Sequence, residues 1–130
     1  MFRKTTAIAA ILLLTMPAYA AGRKIDLTFN IPSQSPITKP APWHPGITVE
    51  NAMQQAGIKY VTAWFPNLRS NALLIAEGNP VSTTGDLGSP FWFLCINGKN
   101  PGKGMTTARI PSARSKVEWF WTTEATCKAQ

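Results

Sequence analysis

The sequence contains little of what metal centres and hydrolytic active sites are usually built from. Its 130 residues include one histidine, His44, and two cysteines, Cys95 and Cys127. These three side chains cannot complete a four-ligand zinc site without carboxylates, and no carboxylate shows the spacing of a metal ligand. His44 has no nucleophile or carboxylate nearby in sequence, and no nucleophile elbow or paired-carboxylate motif occurs. We therefore expect a protein that is not an enzyme and that holds no metal and no cofactor.

Signatures of phosphate and nucleic-acid binding are also missing. The loop "NGKNPGKG" is rich in glycine and lysine, but only three residues separate Gly98 from Gly102, and Gly104 follows Lys103. A P-loop needs four residues there and Ser or Thr after the lysine. An Asn-Gly turn followed by a Pro-Gly turn accounts for the same residues. No basic helix or aromatic-basic motif is present, so we expect no nucleic-acid partner.

The apolar run at the start of the chain is too short for a membrane span, which needs about 20 largely apolar residues. It follows Arg3 and Lys4 and ends in small residues at Ala20. This order is typical of a secretory signal peptide. We expect residues 1–20 to be a signal peptide and residues 21–130 to form one periplasmic or secreted domain without a membrane anchor.

Export determines how the cysteines and the charge are interpreted. An oxidising compartment favours a disulfide between Cys95 and Cys127 over a reactive thiol or a metal ligand. On the chain-entropy model, closing that loop stabilises the fold by roughly 3 to 4 kcal/mol. Without Arg3 and Lys4, eleven of the thirteen basic residues remain against six acids. The mature charge of +5 favours anionic partners and solubility.

Hydrophobic patterning predicts one short helix and several strands. "KIDLTFNI" alternates without a break, which is typical of a half-buried strand. "ITVENAMQQAGI" predicts a helix with Thr48 as its N-cap and Gly57 as its left-handed stop. Four further runs predict strands: "YVTAWF", "NALLIAE", "PFWFLCI" and "KVEWFW".

The arrangement of these elements follows from their composition. "FWFLCI" is apolar on both faces, which predicts a central strand, and the proline-rich residues 32–45 predict an irregular connection. The sequence thus predicts an α+β fold with one helix packed on a mixed sheet of four to five strands.

Aromatic residues give the better indication of function. Five tryptophans, at positions 43, 64, 92, 119 and 121, are more than so small a core can hide, and tryptophan is favoured in binding surfaces. A second layer of core would explain them equally well. The residues that we expect to contact a ligand are Trp92 first, then Trp43, Lys99 and Lys103.

Three stretches, taken in order, resemble a known family. They are "GITVENAMQQAGI", "FWFLCINGKNPGKG" and "KVEWFW", which together span about Gly46 to Trp121. The chain resembles the transcobalamin-like C-terminal domain, a small module of bacterial exported proteins and of cobalamin carriers. This resemblance implies a β-grasp-like fold, and it makes cobalamin a candidate ligand.

Two functions remain open on the sequence. The first is a non-catalytic, exported module that binds a small molecule, with a corrinoid as candidate, through exposed aromatics and the basic loop. The alternative is a protein-protein interaction module, an inhibitor or an envelope-assembly component, that pairs through a sheet edge. A concave aromatic pocket would favour the first function, and an open strand edge would favour the second.

Overall fold

A computed structural model describes residues 22–78 and 89–128 of the chain. The signal peptide predicted for residues 1–20 lies outside the described residues. One helix and six strands are present in the described part of the chain. In chain order they are β1 (Arg23–Asn30), β2 (Ile37–Trp43), α1 (Val49–Gln55), β3 (Tyr60–Phe65), β4 (Ser70–Ala76), β5 (Phe91–Ile96) and β6 (Val117–Thr122).

The strands form a four-stranded mixed sheet and a separate two-stranded hairpin. The order in the larger sheet is β2-β1-β6-β5, and β3 pairs with β4. β1 runs antiparallel to β2 and parallel to β6, with Leu27 opposite Val117, and β5 runs antiparallel to β6. The predicted α+β fold with one short helix and a mixed sheet is confirmed.

The core follows the alternation of β1. Ile25, Leu27 and Phe29 are buried, whereas Lys24 before them and Asp26 between them are exposed. This face of β1 belongs to one cluster with buried residues of the helix, of the loop 105–110 and of β5 and β6. Such apolar burial is the main stabilising contribution in a domain of this size.

The helix begins and ends where the sequence predicts. The Thr48 side chain accepts a hydrogen bond from the Asn51 amide at 3.2 Å, which caps the N-terminus. Gly57 takes the left-handed conformation, with φ of 71°, and the Ile58 amide donates to the Met53 carbonyl at 3.2 Å. The loop 105–110 holds the first turn, because the amides of Val49 and Glu50 donate to carbonyls of that loop.

Two details of the predicted arrangement are wrong. Residues Ile37–Trp43 of the proline-rich connection form strand β2 instead of an irregular segment. Pro40 and Pro42 fit there because β2 is an edge strand. They are two positions apart, so the backbone nitrogens of both can face the open edge, where no N–H is needed to pair with a neighbouring strand. β5 is also an edge strand rather than a central one.

Both faces of β5 are apolar although it is an edge strand. Trp92, Leu94 and Ile96 face the core, and Cys95 on the other face is fully buried. The predicted disulfide is present: Cys95 is bonded to Cys127 with a Cα–Cα distance of 5.9 Å. The C-terminal tail is therefore attached to the second face of β5 at Cys95, whereas Phe91 on the same face is exposed.

Candidate binding cleft

A cleft of about 160 Å³ lies between the hairpin and the larger sheet. Its walls are residues 70–73 of β4 and residues 92–94 of β5, with Trp119 behind them. The loop that follows β5 closes one side with Asn100 and residues 103–105, and Leu68 lies at the rim. We refer to this feature as the β4–β5 cleft.

Hydrogen bonds hold the loop against both walls. The Asn100 side chain donates to the Leu94 carbonyl at 2.9 Å and accepts from the Gly102 amide at 2.9 Å. On the other wall, the Asn71 amide donates to the Thr106 hydroxyl at 3.0 Å. The glycine- and lysine-rich loop is therefore a fixed bridge between β4 and β5, and not only a connection.

Trp92 is part of the packed wall of the cleft. Its side chain is 7% exposed, and its ring lies edge-on to Phe29 at 5.8 Å and to Trp121 at 5.4 Å between ring centroids. The indole N–H groups of Trp92 and Trp119 are buried and have no hydrogen-bond partner among the described residues. These aromatic edge contacts fix the Trp92 ring in place.

Lys103 is the one charged residue among the described residues that line the cleft. Its side chain is exposed, so the ammonium group stays hydrated at the rim while Leu73, Leu94 and Met105 provide apolar surface below it. The cleft is thus apolar inside and cationic at its mouth.

The structure does not bring Trp43 or Lys99 to this cleft. The Trp43 indole donates to the Ile110 carbonyl at 3.0 Å, and the Arg23 guanidinium lies 5.9 Å from its ring centroid. Trp43 lies opposite Arg23, the first residue of β1. It belongs to β2, at the opposite edge of the sheet from β5, which contains Trp92. Lys99 is exposed and is held through its backbone to Ile96.

Other residues at the cleft were not singled out by the sequence. Leu73 and Met105 are buried cleft residues, but their types predict only core. Leu68 is 71% exposed at the rim. A leucine in a turn-rich stretch, between Asn67 and Arg69, is the one signal that could have identified it.

Titratable and metal-binding groups give no sign of chemistry at the cleft. Burial raises the pKa of Tyr60 above its ordinary value; a hydrogen bond to Gln54 opposes this shift, and the charge of Glu50 adds to it.

Within residues 22–78 and 89–128, no three His, Cys, Asp or Glu side chains gather to hold a metal ion. His44 is exposed, with its Nδ1 atom 3.2 Å from the Pro45 carbonyl. No helix in the described part of the chain is long and apolar enough to cross a membrane.

Fold and cleft together define a small α+β module with a lateral apolar cleft. Neither a protein family nor a curated protein matches the sequence. Among solved structures, the chain is similar to part of haptocorrin, in a crystal structure in complex with Cbi, with a TM-score of 0.57 and 13% identity. The match covers 76% of this chain and 25% of haptocorrin, so this chain spans about a quarter of that protein. At this identity the likeness shows a similar fold and nothing beyond it.

Proposed function

We propose that this chain is a non-catalytic, exported module that binds a small molecule in the β4–β5 cleft, with a corrinoid as the first candidate. The observation that carries the proposal is an apolar cleft with aromatic walls and a single cation at its rim. Ligand sites commonly combine apolar walls with a few placed polar groups. The fold shared with haptocorrin, a protein solved in complex with Cbi, supports the choice of first ligand.

The size of the cleft limits how a ligand would bind. About 160 Å³ is close to the volume of a cavity that holds one benzene ring. A corrinoid is far larger, so it would place only one edge or one substituent in the cleft. We therefore expect weak binding by this chain alone, and tighter binding where a partner covers the rest of the ligand.

Each proposed contact has a distinct role. Trp92 provides a rigid aromatic wall, and Lys103 offers N–H donors to a carbonyl or phosphate oxygen of the ligand. Trp43 and Lys99, which we also expected to contact a ligand, lie away from the cleft. They supply matched controls of the same residue types.

Calorimetric titration of the oxidised domain, residues 21–130, with cobalamin tests the proposal. We expect saturable one-to-one heat, weakened severalfold by Lys103→Ala and unchanged by Lys99→Ala, because the two lysines belong to the same loop and only Lys103 lines the cleft. Trp43→Phe should also leave the titration unchanged. No heat at the highest soluble concentrations would exclude the corrinoid, and equal effects of the two lysine variants would exclude the cleft.

Pairing through a sheet edge, the alternative function, has less support. In β5 the backbone groups of successive residues point alternately toward β6 and toward the open edge. The Asn97 amide, just after β5, donates to the Lys116 carbonyl on the β6 side, so the backbone groups of Ile96 and Leu94 point toward the open edge. Ile96 is bonded there to Lys99, and the Leu94 carbonyl accepts from Asn100. On β5, only a short stretch around Trp92 and the Leu94 amide is left for a partner strand, and the opposite edge of the larger sheet contains two prolines.

A further inference from the structure

The turn that joins β3 to β4 presents large apolar side chains to solvent. Trp64 is 54% exposed, Phe65 is 46% exposed and Leu68 is 71% exposed. We call these three residues, together with the exposed Arg69 beside them, the hairpin tip. Among the tryptophans that the structure describes, Trp64 is the most exposed, and the cleft does not include it.

Apolar surface lies on both faces of this tip. Trp64 and Phe65 are consecutive residues of β3, so their side chains point to opposite faces of the hairpin. Leu68 extends the apolar surface around the end of the turn. A flat protein surface would cover only one of these faces, whereas a medium that surrounds the tip removes all three side chains from water together.

Positive charge accompanies the tip. Arg69 directly follows Leu68 in the chain. Lys103 and Leu68 both line a shallow depression of about 320 Å³. No carboxylate is among the described residues that line this depression or the β4–β5 cleft. The Glu50 carboxylate accepts a hydrogen bond at 2.9 Å from the side chain of Asn71, near the start of β4. The exposed charges beside the apolar tip are therefore cationic.

We propose that the hairpin tip inserts into the interface of an anionic lipid bilayer and holds the domain at a membrane surface without spanning it. Tryptophan favours the headgroup level of a bilayer, and phenylalanine and leucine favour the acyl boundary below it. Arg69 and Lys103 then lie at the depth of the anionic headgroups. This inference does not rest on the ligand proposed for the cleft, although Leu68 and Lys103 lie at the rim of both features.

Vesicle sedimentation of the oxidised domain, residues 21–130, tests the inference. We expect binding to mixed phosphatidylcholine–phosphatidylglycerol vesicles that weakens as salt is added, and little binding to phosphatidylcholine alone. Wild type should also show a blue shift of tryptophan emission that Trp64→Phe lacks. Arg69→Gln should lower partitioning roughly fivefold, and Leu68→Ser should lower it at least as much.

The control is Val61→Ser, since Val61 is 50% exposed on β3 but lies away from the turn. It should bind vesicles like wild type. No binding to anionic vesicles, or equal losses in Val61→Ser and Leu68→Ser, would overturn the inference. Self-association by sedimentation velocity that Leu68→Ser abolishes would overturn it as well, in favour of a second copy as the occupant.

Discussion

Gly104 lies directly against the side chain of Ser70, where a Cβ atom would overlap both the hydroxyl oxygen and the Cβ of that serine. Ser70 is buried at the start of β4, and its hydroxyl is also 3.5 Å from the Thr106 amide. This close approach lets the loop lie on the hairpin and thereby closes one side of the cleft.

Gly104→Ala should therefore destabilise the domain by about 1–3 kcal/mol through overpacking, since the displaced atoms belong to a buried side chain. Urea unfolding measures the loss. Ser70→Gly in the same chain should recover part of it, because that change removes both overlapping atoms. Lys103→Ala is the neighbouring control and should cost less than about 0.5 kcal/mol. Equal losses in the two loop variants would contradict the close contact.

Trp92→Ala should destabilise the domain by about 3–5 kcal/mol, because the ring is buried and packs edge-on against Phe29 and Trp121. Denaturant unfolding monitored by circular dichroism gives the value. Trp64→Ala removes the same side chain from an exposed position and should cost under about 1 kcal/mol. A cost as small for Trp92 as for Trp64 would mean that the Trp92 ring is not part of the core.

Cys127→Ser should lower the unfolding free energy by about 3–4 kcal/mol on the chain-entropy model, given the sequence separation of 32 residues. Cys127 is the better position to change because Cys95 is fully buried and its loss would leave a cavity. The comparison is wild type with and without reductant. Two free thiols in the purified, non-reduced protein, measured by mass spectrometry, would contradict the disulfide.

Tyr60 should ionise above its ordinary pKa of 10.0, because burial disfavours the phenolate. Its folded pKa is raised, so its contribution to stability is complete below pH 10 and is lost as pH rises through the folded pKa. Tyr19 lies in the predicted signal peptide, so phenolate absorbance of residues 21–130 reports Tyr60 alone. Tyr60→Phe should lose less stability than wild type over that range. Titration of Tyr60 at or below its ordinary pKa would contradict the shift.

Local pattern predicts local structure well in this chain. β1 and α1 follow their sequence periods closely, because each has one face in the core and the Thr48 cap and Gly57 stop mark the helix ends. The disulfide was also predictable, since it follows from the cysteine count and the expected compartment.

Order in the sheet was not predictable from such patterns. β5 resembles a central strand because both of its faces are apolar, and Cys95 on its second face is bonded to Cys127, a contact between distant residues that no local period encodes. β2 was missed because prolines normally exclude a strand, and only its position at an edge makes them acceptable. The cleft combines β4, β5 and a loop, so Leu68, Leu73 and Met105 could not be grouped before the fold was known.

The parallel pairing of β1 with β6 has a consequence for how the chain reaches its native state. The Asn30 side chain donates to Glu118 across 88 positions of sequence, so the middle of the sheet joins the two ends of the domain. Pairing between residues far apart in sequence makes folding slow, because the intervening chain loses conformational entropy before the contact contributes any stabilisation. The sheet cannot be completed until β6, residues 117–122, has been synthesised, so β1 has to wait for its parallel partner longer than a helix waits for its own hydrogen bonds.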